Sequence, residues 1–271
     1  MKVGLFDSGL GGLTVLNAIS KTLKGAEIFY VADTLYAPYG DKTKEEIFCR
    51  CDKITKFLLE NYGIDALVVA CNTATSIIIK HLRDKFPFLI IIGIEPGIKP
   101  AISNTKTGNI GILATASTLK GEKYRLLVDE LTKAHDVKLF EQACVGLVQQ
   151  IEKGEILTLQ TYEMLENWLK PMLHNHVDTI VLGCTHYPLV KKTIKDIMGQ
   201  DVLLIDTGDA IAKRLMILSQ NAGHINEGEL DILVLYTGTI NTSMVKMILK
   251  KNKFELRKCE IWVVFKIEFW L

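Results

Sequence analysis

The sequence predicts an α/β protein made of two similar halves, whose parallel sheets face each other across a central cleft. Short apolar segments alternate with amphipathic segments along the 271 residues. The apolar segments are rich in Val, Ile and Leu and lack strict alternation, which is typical of parallel strands buried on both faces. A third observation is that the sequence around residue 70 is repeated around residue 180.

Nine strands are predicted from these apolar segments. In chain order they are Lys2–Phe6, Glu27–Ala32, Ala66–Ala70, Leu89–Ile94, Asn109–Leu113, Lys138–Gln142, Thr179–Leu182, Val202–Ile205 and Leu230–Leu235. Helical periodicity lies between them, most clearly over Glu45–Asn61, Leu119–Lys133 and Gln160–Leu173. Alternating strands and helices predict parallel sheets covered by helices.

The internal repeat predicts two halves with the same fold. Residues 64–71 align without a gap on residues 177–184, an offset of 184 − 71 = 113. More weakly, residues 3–8 align on residues 110–115, an offset of 110 − 3 = 107. Two matches with similar offsets indicate a duplicated α/β unit.

The expected domain division follows from this repeat. We expect the first domain to contain residues 1–97 together with 207–271, and the second domain to contain residues 98–206.

Composition excludes several classes of protein. The 32 basic and 31 acidic residues give a formal net charge of +1, so the chain lacks the positive charge typical of nucleic-acid binding. It has no apolar run of the roughly 18–20 residues that span a bilayer, and its first residues are not typical of a signal peptide. We therefore expect a cytoplasmic protein whose six cysteines are reduced.

Small, hydroxyl-bearing and thiol residues follow the predicted strands. Ligands of open parallel sheets bind beyond the carboxyl ends of the strands. This composition therefore predicts a site for a small polar substrate. The segments concerned are Asp7–Gly9, Pro38–Gly40, Cys71–Thr73, Glu95–Gly97, Ala114–Thr115, Cys184–His186 and Asp206–Gly208.

Cys71 and Cys184 end the two copies of the repeat, one in each half. The segments after both cysteines are typical of helix starts, where free N–H groups lower a thiol pKa below its usual value of about 8.5. Racemisation removes a proton from one face of a carbon and returns one to the other face. Two equivalent thiols on either side of a substrate fit that reaction in both directions.

Simpler interpretations of these residues stay open at this stage. Both cysteines could be buried packing residues. Asp7 could orient Cys71 or bind a substrate ammonium group, and it could equally cap a helix. His186 could act on the Cys184 thiol or be structural, and Glu152 carries no signal of its own.

Two competing motifs are incomplete. The segment from Gly9 to Gly12 is similar to a dinucleotide-binding loop, but Thr14 stands where its third glycine is required. The pair Cys184 and His186 could form half of a zinc site, but a second pair of ligands at suitable spacing is absent from the sequence. The sequence therefore indicates neither a dinucleotide site nor a metal site.

Over residues 1–240, the chain closely resembles the glutamate racemases of the aspartate/glutamate racemase superfamily. The motifs that carry the resemblance are FDSGLGGLTVL from Phe6, APYGDKT from Ala37, VVACNTAT from Val68, GIEPGIKPA from Gly93, ATAST from Ala114, GLVQQIEKGE from Gly146, VLGCTHYPL from Val181 and IDTGDAIA from Ile205. The resemblance implies two flavodoxin-like domains, often in a homodimer. It also implies interconversion of L- and D-glutamate without a cofactor, supplying D-glutamate for peptidoglycan.

The resemblance also implies the roles of individual residues. Cys71 would deprotonate D-glutamate with the help of Asp7. Cys184 would deprotonate L-glutamate with the help of Glu152 and His186. The substrate would be bound by Asp7, Ser8, Tyr39, Gly40, Asn72, Thr73, Thr115, Thr118, Thr185 and His186.

The chain departs from the family pattern in four places. Ala32 and Val145 replace a usual glycine and a usual proline, and Tyr236–Gly238 replaces a Thr/Ser-Gly-Asp turn. The apolar tail from Ile261 to Leu271 alternates in a way that would suit an edge strand or a packed extension. Two other functions stay open: racemisation of aspartate or a hydantoin, and non-catalytic binding of a small acid.

Overall fold

The structure is a computed structural model, and it describes residues 1–261. The edge strand or packed extension expected for the apolar tail falls on residues 262–271, which lie outside the described residues. Within residues 1–261, no helix combines the length and the apolar character needed to cross a membrane.

Ten strands alternate with eleven α-helices in this part of the chain. The strands are β1 (Lys2–Asp7), β2 (Glu27–Ala32), β3 (Ala66–Val69), β4 (Ile90–Gly93), β5 (Asn109–Ala114), β6 (Lys138–Ala143), β7 (Thr179–Gly183), β8 (Leu203–Ile205), β9 (Asp231–Tyr236) and β10 (Glu255–Lys258). The helices are α1 (Leu13–Thr22), α2 (Lys44–Tyr62), α3 (Asn72–Lys85), α4 (Ile98–Asn104), α5 (Ala116–Lys120), α6 (Glu122–Ala134), α7 (Leu147–Lys153), α8 (Leu159–His174), α9 (Lys191–Met198), α10 (Gly208–Asn221) and α11 (Thr242–Ile248). Short 3₁₀ helices cover Tyr39–Asp41 and Tyr187–Val190.

The strands form two parallel sheets, one of six strands and one of four, which share the order of four strands. The first sheet has the order β10-β9-β2-β1-β3-β4, and the second has the order β6-β5-β7-β8. The four strands β2-β1-β3-β4 correspond to β6-β5-β7-β8, and β9 and β10 extend the first sheet beyond β2. Every strand pair is parallel. The carboxyl ends of the strands in each sheet therefore lie at one edge.

The strand register accounts for the internal repeat. Val3 of β1 pairs with Ala66 of β3, and Ile110 of β5 pairs with Thr179 of β7. The offset of 107 relates Val3 to Ile110, and the offset of 113 relates Ala66 to Thr179. The repeated segments are therefore the two central strands of each sheet.

The predicted fold class is confirmed, and each of the nine predicted strands is present. The strand β10 was missed, because its residues Glu255–Lys258 are mostly charged and exposed, as is usual for an edge strand. The assignment of residues 1–97 with 207–271, and of residues 98–206, to separate domains stays a prediction.

A buried ion pair joins the carboxyl end of β2 to α2. The Arg50 guanidinium donates to both carboxylate oxygens of Asp33 at 2.7 Å, and the two side chains are 1% and 0% exposed. Thr237, which follows β9, donates to Asp33 at 2.8 Å. Tyr39 donates to the same carboxylate at 2.7 Å. Asp33 therefore ties α2, β9 and the segment around Tyr39 to β2.

We expect Arg50→Ala to lower the free energy of unfolding by about 3–5 kcal/mol, because the substitution leaves the Asp33 carboxylate buried without a counter-ion. Urea denaturation measures this change. The matched control is Arg257→Ala, since Arg257 pairs with Glu255 on the surface, where both side chains are more than half exposed. The control should unfold like the unaltered protein, and equal stability of the two variants would contradict the assignment.

Candidate active site

A narrow cavity of about 60 Å³ lies where the carboxyl edges of the two sheets meet. Its size suits a small polar molecule. The first half and the second half both contribute to its wall. The predicted site residues that line it are Asp7, Ser8, Tyr39, Gly40, Cys71, Asn72, Thr73, Thr115, Cys184, Thr185 and His186.

Cys71 lies between β3 and α3, where it is the N-cap residue of the helix, and its side chain is buried. Burial, and then the Asp7 carboxylate, raise the pKa of the Cys71 thiol well above its usual value. The amide of Ala74 in the first turn of α3 lowers that pKa, but it does not outweigh the other two effects. The expected helix start is present, whereas the expected lowering of the Cys71 pKa is wrong.

Cys184 occupies the equivalent place after β7, and it is also buried. The helix start expected in the segment after it is a short 3₁₀ helix that begins at Tyr187, and α9 begins at Lys191. The Cys184 sulfur lies 3.7 Å from Nδ1 of His186. The two thiols are therefore in equivalent positions with different neighbours.

His186 connects Cys184 to a carboxylate. Its Nε2 lies 2.6 Å from Oε1 of Glu152, which is part of α7 and is not part of the cavity wall. Burial disfavours a charged imidazole, but the hydrogen bonds to Cys184 and Glu152 raise the pKa of His186 well above its usual range. These two hydrogen bonds therefore favour the charged form of the imidazole.

Asp7 lies beside Cys71 at the end of β1 and is fully buried. Its Oδ2 accepts hydrogen bonds from the amides of Gly12 at 2.9 Å and Gly9 at 3.4 Å, while Oδ1 is buried without a partner in the described structure. Burial raises the pKa of Asp7, and the charge of His186 and the Gly12 amide only partly offset this. Since α1 begins after Gly12, Asp7 is not its N-cap residue. A carboxyl group with a raised pKa and a free oxygen can exchange a proton with its neighbours.

The segment Ser8–Gly12, which we name the glycine loop, lies against His186 and Glu152 of the other half. The amide of Leu10 donates to Oε1 of Glu152 at 2.8 Å. A Cβ atom on Gly9 would lie 1.9 Å from that oxygen, and a Cβ on Gly11 would lie 2.2 Å from Nδ1 of His186. The glycines of this segment therefore allow close approach of two side chains, which explains them without a dinucleotide.

Threonine hydroxyls connect the two halves across the cavity. Thr73 at the start of α3 lies 3.2 Å from Thr115, which follows β5 (Oγ1 to Oγ1). Thr115 is in turn 2.9 Å from Thr118, which lies behind it and is not part of the cavity wall. The Tyr39 hydroxyl donates to Asp33, so this residue borders the cavity with its hydroxyl already bonded.

Sequence reasoning missed part of the cavity wall. The additional residues are Asp41, Ala116, Cys144, Val145, Gly146, Val148 and Gln149. Cys144 follows β6 directly, so the rule that ligands bind at strand ends could have found it. Burial raises the pKa of Cys144, which keeps it a neutral thiol. Gln149 donates to Asp41 at 3.1 Å and so connects the halves at the exposed rim.

Groups that can exchange protons surround the cavity. A thiol from each half borders it, one beside a carboxyl group and the other beside an imidazole. Among residues 1–261, no group of three or more His, Cys, Asp or Glu side chains is placed to hold a metal ion.

Proteins with similar sequences are known glutamate racemases. The glutamate racemase of Aliarcobacter butzleri (strain RM4018) is 66% identical over 261 residues, which cover 96% of this chain and all of that protein. The glutamate racemase of Sulfurovum sp. (strain NBC37-1) is 56% identical over 249 residues, which cover 92% of this chain and 94% of that protein.

Solved structures of glutamate racemases are also similar to this chain. The crystal structure of Escherichia coli glutamate racemase in complex with L-glutamate and the activator UDP-MurNAc-ala has a TM-score of 0.82 at 29% identity, covering 97% of this chain and 99% of that one. The structure from Francisella tularensis subsp. tularensis SCHU S4 in complex with D-glutamate has a TM-score of 0.80 at 25% identity, covering 96% and 97%.

The fold and the site together define an amino-acid racemase, an enzyme of the isomerase class. The family model described as Asp/Glu/Hydantoin racemase matches residues 10–215. The chain belongs to this family, which confirms the resemblance seen in the sequence.

We expect Glu152→Gln to lower the pKa of His186, because the substitution removes the negative charge that stabilises the imidazolium. Nitrogen-15 NMR of the imidazole measures this directly: His186 should become neutral at a lower pH in the variant. The exposed His135 supplies a reference signal within the same protein. Identical His186 titration curves in both proteins would show that Glu152 does not control this charge.

Proposed function

We propose that the protein is a glutamate racemase that uses Cys71 and Cys184 as its two acid/base groups. The observation that carries this proposal is that two sheets of the same strand order each supply one thiol to a single cavity. Two bases on opposite sides of one carbon are what racemisation requires.

Glutamate is the proposed substrate because the most similar relatives named above are glutamate racemases. The cavity wall fits an amino acid with a second carboxylate, since it offers hydroxyl, amide and backbone N–H groups. We propose that the substrate is bound by the residues that the resemblance implies, which are Asp7, Ser8, Tyr39, Gly40, Asn72, Thr73, Thr115, Thr118, Thr185 and His186. Thr118 would act through Thr115, because it lies behind the wall.

The proposed reaction is a proton transfer through the substrate. The Cys71 thiolate removes the α-proton of D-glutamate, and the Cys184 thiol delivers a proton to the opposite face, which gives L-glutamate and a Cys184 thiolate. The reverse direction exchanges the two roles. Asp7 accepts the proton of Cys71 when a thiolate is needed there. On the other side, the positive charge that Glu152 favours on His186 stabilises the thiolate of Cys184.

The protonation state of Cys71 depends on its burial and on the charge of the bound substrate. Because burial raises the pKa of Cys71, the resting protein holds it as a thiol. The ammonium group of a bound amino acid adds a positive charge, and a nearby opposite charge favours the thiolate. We propose that substrate binding thereby activates the base. We propose that no cofactor takes part.

We also propose the cellular role that the resemblance implies, namely supply of D-glutamate for peptidoglycan by a cytoplasmic homodimer. Restoring growth to a bacterium that requires D-glutamate would support the role. Sedimentation of the purified protein as a monomer would contradict the oligomeric state.

We expect Cys71→Ala and Cys184→Ala each to lower kcat for glutamate racemisation by at least about 100-fold, because each direction needs both groups. Circular dichroism measures the two rates, one in an assay that starts from D-glutamate and one in an assay that starts from L-glutamate. Cys49→Ala is the matched control, since Cys49 is exposed, and it should be as active as the unaltered protein. Substantial activity in either cavity variant would contradict the two-thiol assignment, and faster turnover of aspartate than of glutamate would contradict the substrate.

We expect racemisation in deuterium oxide to place deuterium at the α-carbon of the product and far less in the recovered substrate. In a two-base reaction the proton added comes from the second, solvent-exchanged thiol. Mass spectrometry of separated enantiomers at low conversion measures both labels. Equal labelling of substrate and product, from either starting enantiomer, would indicate a single base.

A further inference from the structure

The glycine loop contacts the acid/base groups of both halves. The Gly12 amide donates to Asp7, which lies beside Cys71, and the Leu10 amide donates to Glu152, which bonds His186 beside Cys184. One short segment of backbone therefore fixes the carboxylates on both sides of the cavity.

The loop has little freedom to move relative to these groups. The close approach of Gly9 to Glu152 and of Gly11 to His186 leaves no space for even a methyl group. Thr14, just beyond the loop, donates to the carbonyl of Thr185 at 3.0 Å and so connects the first half to the residue that follows Cys184. The loop is therefore in direct contact with both His186 and Glu152.

Tyr30 fixes the position of the glycine loop. It is a fully buried residue of β2, and its hydroxyl donates to the carbonyl of Gly9 at 2.6 Å. A Cβ atom on Gly12 would lie 2.8 Å from the same hydroxyl oxygen, so the loop passes directly over it. Burial, together with the charges of Asp7 and Glu152, raises the pKa of Tyr30, and it therefore stays a hydrogen-bond donor across the working pH range.

We propose that Tyr30 is a positioning residue for catalysis: by fixing the glycine loop through Gly9, it sets Asp7 against Cys71 and Glu152 and His186 against Cys184. The inference rests on the proposed two-thiol function and deepens it. Tyr30 does not border the cavity, so it acts only through the loop.

Tyr30 therefore affects proton transfer at both Cys71 and Cys184, whereas a substitution at Gly11 affects proton transfer at Cys184 only. Loss of the Tyr30 hydroxyl loosens the loop at Gly9 and so weakens both amide contacts. A methyl group at Gly11 collides with His186 alone, on the side of Cys184.

The principal experiment compares Tyr30→Phe with the unaltered protein. We expect kcat to fall about 3- to 10-fold in both directions, the range that one lost hydrogen bond represents, while KM for each enantiomer stays within about twofold of its original value. The matched control is Tyr62→Phe, since Tyr62 stacks on Phe29 at 4.4 Å, away from the cavity. Unchanged kcat in Tyr30→Phe, or an effect on KM alone, would overturn the proposal.

The pH profile separates positioning from a loss of stability. Asp7 is faced by Cys71, Glu152, His186 and Tyr30, and the Gly12 amide lowers its pKa. Weakening that amide contact raises the pKa of Asp7, so the acid limb of kcat should move to higher pH in Tyr30→Phe and stay in place in Tyr62→Phe. An acid limb that coincides with that of the unaltered protein would contradict the proposal.

If Tyr30→Phe does not fold, Gly11→Ala tests the same loop. We expect its primary isotope effect to rise with α-deuterated L-glutamate and to fall with α-deuterated D-glutamate, because only the Cys184 step slows. Equal isotope effects, unchanged from the unaltered protein, would overturn the role of the loop. An unaltered protein that does not racemise glutamate would instead refute the proposed function itself.

Discussion

The site depends on one constraint, which is that the carboxyl edges of two parallel sheets face each other at short range. Parallel strands all end at the same edge, and a shared strand order puts β3 and β7 in equivalent places. Cys71 and Cys184 follow these strands, so each edge supplies one thiol. A single sheet could offer two thiols only from the same side of a ligand.

Contacts between the halves keep the cavity narrow. Hydrogen bonds join Thr73 to Thr115, and the glycine loop to Glu152. Both contacts are partly buried, and burial makes a polar contact specific because an unpaired partner is costly. The cavity therefore takes its shape from polar contacts between the two halves as well as from the apolar core behind each sheet.

The two thiols are equivalent in position but different in environment. Cys71 faces the Asp7 carboxyl group, whereas Cys184 faces the His186 imidazole, which is hydrogen-bonded to Glu152. The duplicated backbone thus carries unlike assisting groups. A racemase of this construction would bind its two enantiomers with different charge distributions around the reacting proton, even though the equilibrium between free enantiomers is fixed at unity by symmetry.

Much of the fold could be predicted from local patterns. A repeat with offsets of 107 and 113 indicated that β1 and β3 are equivalent to β5 and β7, because equivalent buried strands need similar apolar residues. The edge strand β10 could not be found in this way, since its exposed, charged residues lack an apolar pattern. A helix start was predicted in the segment after Cys184, but Thr185 and His186 are compatible with either kind of helix, so the 3₁₀ helix at Tyr187 was not specified.

By itself, the sequence determined the two parallel sheets, the two strand-end cysteines and most of the cavity wall, because buried strands and the residues after them leave patterns in neighbouring positions. The tertiary structure alone decided which groups control the thiols. Glu152 meets His186 and the Leu10 amide only when α7 and the loop after β1 come together. The raised pKa of Cys71 comes from burial and from Asp7, which lies far from it in the sequence. Charge and proton transfer depend on distances through space, and a linear sequence does not contain them.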